Sequence, residues 1–132
     1  EDVWELFSDS NSEDETHSIP ESSNIVVDPS TGFLWQRKVD GIKKTYQTAI
    51  KYCENLDLNG IYKWKLPSFD KIQGIVKKKN LFDSFNINGI YWSSSEVVEG
   101  GDRAWRVFFS DGSKDWRGKN ELFNVRCFRN IY

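Results

Sequence analysis

Histidine is almost absent from this chain, and that scarcity narrows its chemistry. The single His, His17, falls in an N-terminal stretch of acidic and polar neighbours. A Ser/His/Asp or Cys/His nucleophilic system in the body of the chain is thereby excluded, because no imidazole is there to take the proton. Cysteine is also scarce: Cys53 and Cys127 stand 74 positions apart. That spacing excludes a CxxC redox pair, and two thiols do not make a four-ligand zinc site. No apolar run approaches ~18 residues, so no transmembrane helix is expected. No segment repeats or is of low complexity. The chain opens on Glu1 rather than Met, so it is a processed form or a piece of a longer chain, and the sequence would not show a signal peptide presumed removed.

Bases are missing from one region only. Residues 1–21 hold eight acids and no Lys or Arg, leaving 12 of the 20 acids to face all 18 bases in residues 22–132. An acidic arm (residues 1–23) therefore precedes a basic body (residues 24–132). Three readings of the arm are open: it is solvated, it folds back on its own domain, or it docks on a basic partner. Its apolar cluster, Val3, Trp4, Leu6 and Phe7, is the expected anchor if it docks. Burying even two such side chains is worth several kcal/mol at roughly 25 cal/mol per Å².

What the chain has in abundance is aromatic residues, 15% of it with six Trp and nine Phe, which excludes general disorder. At 132 residues it is one domain with room for a core. Asn24–Gln36 reads as a hairpin around Asp28-Pro29-Ser30-Thr31-Gly32. Thr45–Leu58 reads as a helix capped by Thr45, with Tyr46, Ala49, Ile50, Cys53 and Leu56 on one face. A second helix starts after Ser68, its expected N-cap, and buries Phe69, Ile72, Ile75 and Val76. From Ile90 the period changes to two. Tyr91–Ser95, Ala104–Ser110, Ser113–Arg117 and Phe123–Arg129 read as strands, with a turn at Asp111-Gly112. Hairpin, two helices, then strands make an α+β fold with antiparallel sheet. For the cysteines two states are open, buried free thiols or a disulfide tying the first helix to the last strand. The disulfide is favoured: its loop contributes ~4 kcal/mol in the chain-entropy model and implies an oxidising compartment.

Six blocks in order carry a resemblance: Asp28…Thr31-Gly32-Phe33-Leu34-Trp35-Gln36; Ala49…Cys53; Trp64-Lys65-Leu66-Pro67-Ser68; Tyr91-Trp92-Ser93-Ser94; Ala104-Trp105-x-Val107-x-Phe109-x-Asp111-Gly112; and Val125-Arg126-Cys127. Over roughly residues 24–130 the chain resembles the bacterial family typified by the C-terminal domain of the collagen-like adhesin Lcl. The resemblance implies a C-type-lectin-like fold, a secreted or cell-surface setting, a Cys53–Cys127 disulfide, and an adhesion or ligand-binding role, in some members toward sulfated polysaccharide. Lys65 stands where the family usually has Arg, and the acidic arm lies outside the family pattern. The Glu-Pro-Asn and Trp-Asn-Asp motifs of calcium-dependent animal lectins are absent, which speaks against calcium-mediated sugar binding.

No catalytic constellation emerges. The carboxylate pairs Glu96/Glu99 and Asp111/Asp115 have the chemistry for glycosidase-like acid/base work, but they fall in loops and turns where solvated carboxylates are the rule. Glu96, Glu99 and Asp102 flank Gly100-Gly101 and are oxygen ligands of the kind calcium takes, without an EF-hand or other spaced signature. Cofactors are not expected. Trp92, Trp105, Val107, Phe109 and Val125 are expected in the core. That leaves Arg103, Arg106, Phe108, Trp116 and Arg117 as an outward aromatic–basic surface. Such a surface suits sugar stacking, sulfate or carboxylate pairing, or a protein hot spot. The competing reading makes Phe108 and Trp116 cover for a second small core. Nucleic acid is a poorer partner, given the acidic arm and the extracytoplasmic setting. The expectation is a non-enzymatic recognition module for an anionic glycan or a protein. Its alternative is an accessory subunit of an extracellular assembly, docked through residues 1–21.

Overall fold

The computed structural model describes residues 24–82 and 87–130. The arm, including Val3, Trp4, Leu6 and Phe7, lies outside the described residues. Strands β1 (Ile25–Val27) and β2 (Leu34–Gln36) form the first hairpin. Helices α1 (Tyr46–Glu54) and α2 (Phe69–Val76) follow, then β3 (Ile90–Glu96), β4 (Arg103–Phe108), β5 (Lys114–Gly118) and β6 (Phe128–Arg129). The strands make two antiparallel three-stranded sheets, ordered β1-β2-β6 and β3-β4-β5. The α+β class expected from the sequence is the class observed.

The first turn forms as its residues dictate. Gly32 takes φ 78°, and the buried Asp28 carboxylate accepts from the Ser30 amide (3.1 Å), the Thr31 hydroxyl (3.0 Å) and the Lys78 ammonium (2.6 Å). Burial alone would raise that carboxyl. The Lys78 and Ser30 hydrogen bonds outweigh it and hold Asp28 below the ordinary carboxylate value.

Both helices differ in detail from expectation. Thr45 does cap α1, its Oγ1 accepting from the Thr48 amide at 3.4 Å. The helix stops at Glu54 rather than Leu58, with Asn55 as its C-cap, and farther on Asn59 (φ 54°) and Gly60 (φ 83°) reverse the chain and pair Leu58 with Ile61. Ser68 precedes α2 but makes no side-chain cap. Its hydroxyl donates to Asp70 (2.6 Å), and Ser95 Oγ from the neighbouring strand accepts the Phe69 amide (3.1 Å).

Along the strands, neighbouring core residues are buried on opposite faces. Trp92 and Ala104 enter one core cluster with α1 residues Tyr46, Ala49 and Cys53. Their neighbours Tyr91 and Val107 enter a second cluster with Ile72, Ile75 and Val76 of α2. Ile25/Val26, Leu34/Trp35 and Cys127/Phe128 divide between the clusters in the same way.

The expected last strand, Phe123–Arg129, is not continuous. Phe123 and Asn124 bridge to Lys44 and Tyr91, and only Phe128–Arg129 pairs with β2. Val125, Arg126 and Cys127 carry the chain from one sheet to the other. The crossing is stitched by the Cys127 amide donating to Gln36 Oε1 (3.0 Å) and by Arg126 Nη1 donating to the Gln36 and Arg37 carbonyls (both 2.7 Å). Cys53 and Cys127 form a disulfide joining α1 to the start of β6.

Candidate ligand-binding surface

Strand β5 is the outer strand of its sheet, so its side chains stand at a rim. Pairing of Trp105 with Trp116, Arg106 with Asp115 and Val107 with Lys114 sets which residues share a face. The five residues expected to form one surface divide between two.

On the α2 side, the Arg103 guanidinium lies over the Trp116 ring at 4.6 Å. Lys114 Nζ lies 4.6 Å from the Phe69 ring centre and 5.3 Å from that of Trp105. Phe69 and Trp105 meet edge to face at 5.9 Å. Trp116 is 43% exposed and the Arg103 side chain 46%. Cations and rings therefore alternate along a partly accessible platform beside the first turn of α2. Asp102, 3.8 Å from Arg103, is almost fully exposed, so its pairing is weak.

The opposite face is tied into the fold through Arg106, while the Arg117 side chain stays 41% exposed. Arg106 grips Asp115 through Nε (2.6 Å) and Nη2 (3.3 Å), and its guanidinium stacks at 4.9 Å on both Phe108 and Phe123. Its side chain is 11% exposed. The Arg106 hydrogen bond, helped by the charge of Arg117, holds the Asp115 carboxyl below its ordinary value despite partial burial. Arg117 shares Asp115 (3.2 Å) and donates to the Trp116 carbonyl (2.8 Å).

Trp105 is half-buried rather than core: Val107 faces α2 fully buried, but Trp105 reaches past the helix to Phe69. Trp105 and Phe69 are the platform members that sequence reasoning placed elsewhere. The signal for them was the cation–aromatic alternation Arg103-Ala104-Trp105 opposite Lys114-Asp115-Trp116.

Of the carboxylates weighed for chemistry, Glu96, Asp111 and Asp115 have local partners. Lys119 pairs with Glu96 and holds its carboxyl below the ordinary value. Asp111 accepts from the Ser113 amide (2.9 Å) and hydroxyl (2.7 Å). Among the described residues no three His, Cys, Asp or Glu side chains gather closely enough to hold a metal ion. Ser93 and Ser95 serve the fold, Ser93 Oγ donating to the Trp105 carbonyl at 2.7 Å and Ser95 Oγ accepting from Phe69.

Set against known proteins, residues 24–129 match the model of the Lcl C-terminal domain. The chain belongs to the Lcl C-terminal domain family. No curated protein matches it. Within this family member, Gln36, Trp64, Leu66, Trp92, Ser93, Val107, Phe109 and Cys127 are all buried, so most of the shared blocks encode the core. Trp105 is the block residue that reaches the platform. Family and disulfide together suggest an extracellular protein. Among the described residues no helix is long and apolar enough to cross a membrane.

Proposed function

We propose that this Lcl C-terminal domain is a non-enzymatic recognition module that binds an anionic glycan across the Phe69–Trp105–Trp116 platform. The observation that carries the reading is the pairing of exposed Trp116 and half-buried Trp105 and Phe69 with Arg103 and Lys114 on a sheet rim. Sugar rings stack on aromatic faces through their C–H surfaces, while sulfates and uronic carboxylates take charge-assisted hydrogen bonds from Arg and Lys. Arg106, Phe108 and Arg117 then act chiefly as the support behind β4 and β5. A C-type-lectin-like relationship, implied by the resemblance alone, is in keeping with this use of a sheet and its connecting turns. The reading requires neither a metal nor a general base.

The test is binding of the full chain to a sulfated polysaccharide and to its desulfated form, followed by surface plasmon resonance as salt is raised. Binding to the sulfated form should weaken with salt, because exposed charges are screened. Trp116→Ala and Arg103→Ala should each weaken it about tenfold, the size of one charge-assisted contact. Absence of binding to sulfated and uronic polymers, or binding indifferent to both substitutions, would overturn the proposal.

A further inference from the structure

A recess of about 280 Å³ lies between the first hairpin and α2. Lys71 and Gly74, which line it, stand about 200° and 140° round the helix from Phe69 at 3.6 residues per turn. The recess and the platform therefore use opposite sides of α2. Charge in the recess is balanced. Asp28 and Lys78 pair on one wall at 2.6 Å, and Asp70 and Lys71 are neighbours in the first turn of α2 on the other. The Asp28 carboxylate is filled by Ser30, Thr31 and Lys78. The Lys71 ammonium is not. It lies 5.4 Å from the Phe128 ring centre and 5.9 Å from that of Phe33, and among the described residues no carboxylate is within ion-pair distance of it. Asp70 is exposed, with Ser68 donating to its Oδ1.

Two further features point to a ligand. Trp35 also lines the recess; it is 1% exposed, and its Nε1 has no acceptor among the described residues. Buried N–H groups almost always have a partner, and an indole N–H can only donate, so this one calls for an incoming acceptor. The other feature is Gly74, a poor helix former in the middle of the short α2. A Cβ there would meet no heavy atom within 4 Å, so packing does not demand glycine. What the missing side chain leaves is room along the recess wall. The volume is just below the roughly 300–1,000 Å³ of drug-sized clefts, which suits one small ring.

We propose that this recess binds a single neutral sugar ring. A charged ligand would bring an uncompensated charge to walls that already balance. A polyhydroxylated ring brings donors and acceptors without charge. Its hydroxyl oxygens accept from Trp35 Nε1 and Lys71, its hydroxyl protons go to Asp70, and its C–H face lies on the half-buried Phe33. The site is independent of the platform, which selects for negative charge.

The test is titration of the full ¹⁵N-labelled chain with glucose, galactose, mannose and N-acetylglucosamine, followed in proton–nitrogen correlation spectra, where the Trp35 indole N–H is a signal of its own. At least one sugar should shift that signal together with the Lys71 and Gly74 amides. The shifts should saturate in the millimolar range, as expected of a few hydrogen bonds. Gly74→Leu places a good helix former there and fills the recess, and should raise Kd at least about tenfold while the rest of the spectrum is retained. Lys71→Met keeps the stem without the charge and should raise Kd about tenfold. A Trp35 indole signal unmoved by all four sugars would overturn the proposal. So would a shift that survives Gly74→Leu in a well-dispersed spectrum, or a response of the same signal to acetate or sulfate in place of sugar. Loss of sulfated-polysaccharide binding at the platform changes none of these signals, so the two readings fail separately.

Discussion

At the scale of single residues, two arginines three positions apart have opposite roles. Arg106 is clamped between Asp115 and the rings of Phe108 and Phe123, whereas Arg103 touches a surface ring and an exposed acid. Arg106→Ala should lower unfolding free energy in urea by about 1–2 kcal/mol, because it leaves Asp115 with Arg117 alone and removes the guanidinium packed on Phe108 and Phe123. Arg103→Ala should change it by less than about 0.5 kcal/mol. Asp28 supplies a pH-dependent contribution. Its folded-state pKa is depressed, so its stabilisation is present above the ordinary carboxylate value of 3.8 and is lost as pH falls through the lower folded value. Asp28→Asn should therefore cost about 1–2 kcal/mol at neutral pH, the worth of a charge-assisted hydrogen bond. The gap from wild type should narrow in urea titrations below pH 3.8. An unchanged gap in acid would place the contribution elsewhere than in the charge.

At the scale of elements, the strands explain why sequence periodicity reads the core only in part. Alternation of apolar and polar residues marks a strand with one wet face. Here α1 and α2 cover different neighbours along the same strands, so Tyr91-Trp92 and Ile25-Val26 are apolar on both sides. Trp105 and Val107 share a face of β4, yet only Val107 lies fully under α2. Helix length sets that difference, and α2 begins at Phe69. The crossing segment Val125–Cys127 likewise reads as strand because its residues are buried, although its hydrogen bonds go to two sheets in turn. The disulfide holds that crossing against α1. Replacing Cys53 and Cys127 together by Ala should lower stability by about 4 kcal/mol in the chain-entropy model, read from thermal or urea unfolding under non-reducing conditions. A loss below about 1 kcal/mol would mean that the two sheets already fix the crossing by themselves.

At the scale of the whole molecule, charge and architecture are separate matters. The body from residue 22 onward carries 18 bases against 12 of the chain's 20 acids, but many of its charges are spent internally, as in Lys44–Asp40, Lys78–Asp28 and Lys119–Glu96. Among what is left for partners is the Arg103–Lys114 platform. Binding through the platform should be salt-sensitive yet indifferent to chelators, and EDTA should leave both polysaccharide affinity and melting temperature unchanged. A fall in either on chelation, restored by calcium, would reassign the Glu96–Asp102 loop to ion binding.

The sequence by itself determined the family, the α+β class, the first turn, the cap of α1 and the absence of a histidine-based nucleophilic site in the domain. All of these rest on residue types in local order or on blocks shared with the Lcl C-terminal domain. Only the tertiary structure decided which aromatic–basic residues stand together. That depends on the register between β4 and β5, which sets faces, and on how far α2 extends over them, which sets exposure. The outward stretch from Arg103 to Arg117 thus resolves into a platform, Arg103, Trp105, Lys114 and Trp116 with Phe69, and its support, Arg106, Phe108, Asp115 and Arg117. No local spacing records that division, because strand register and helix coverage join residues distant in the chain.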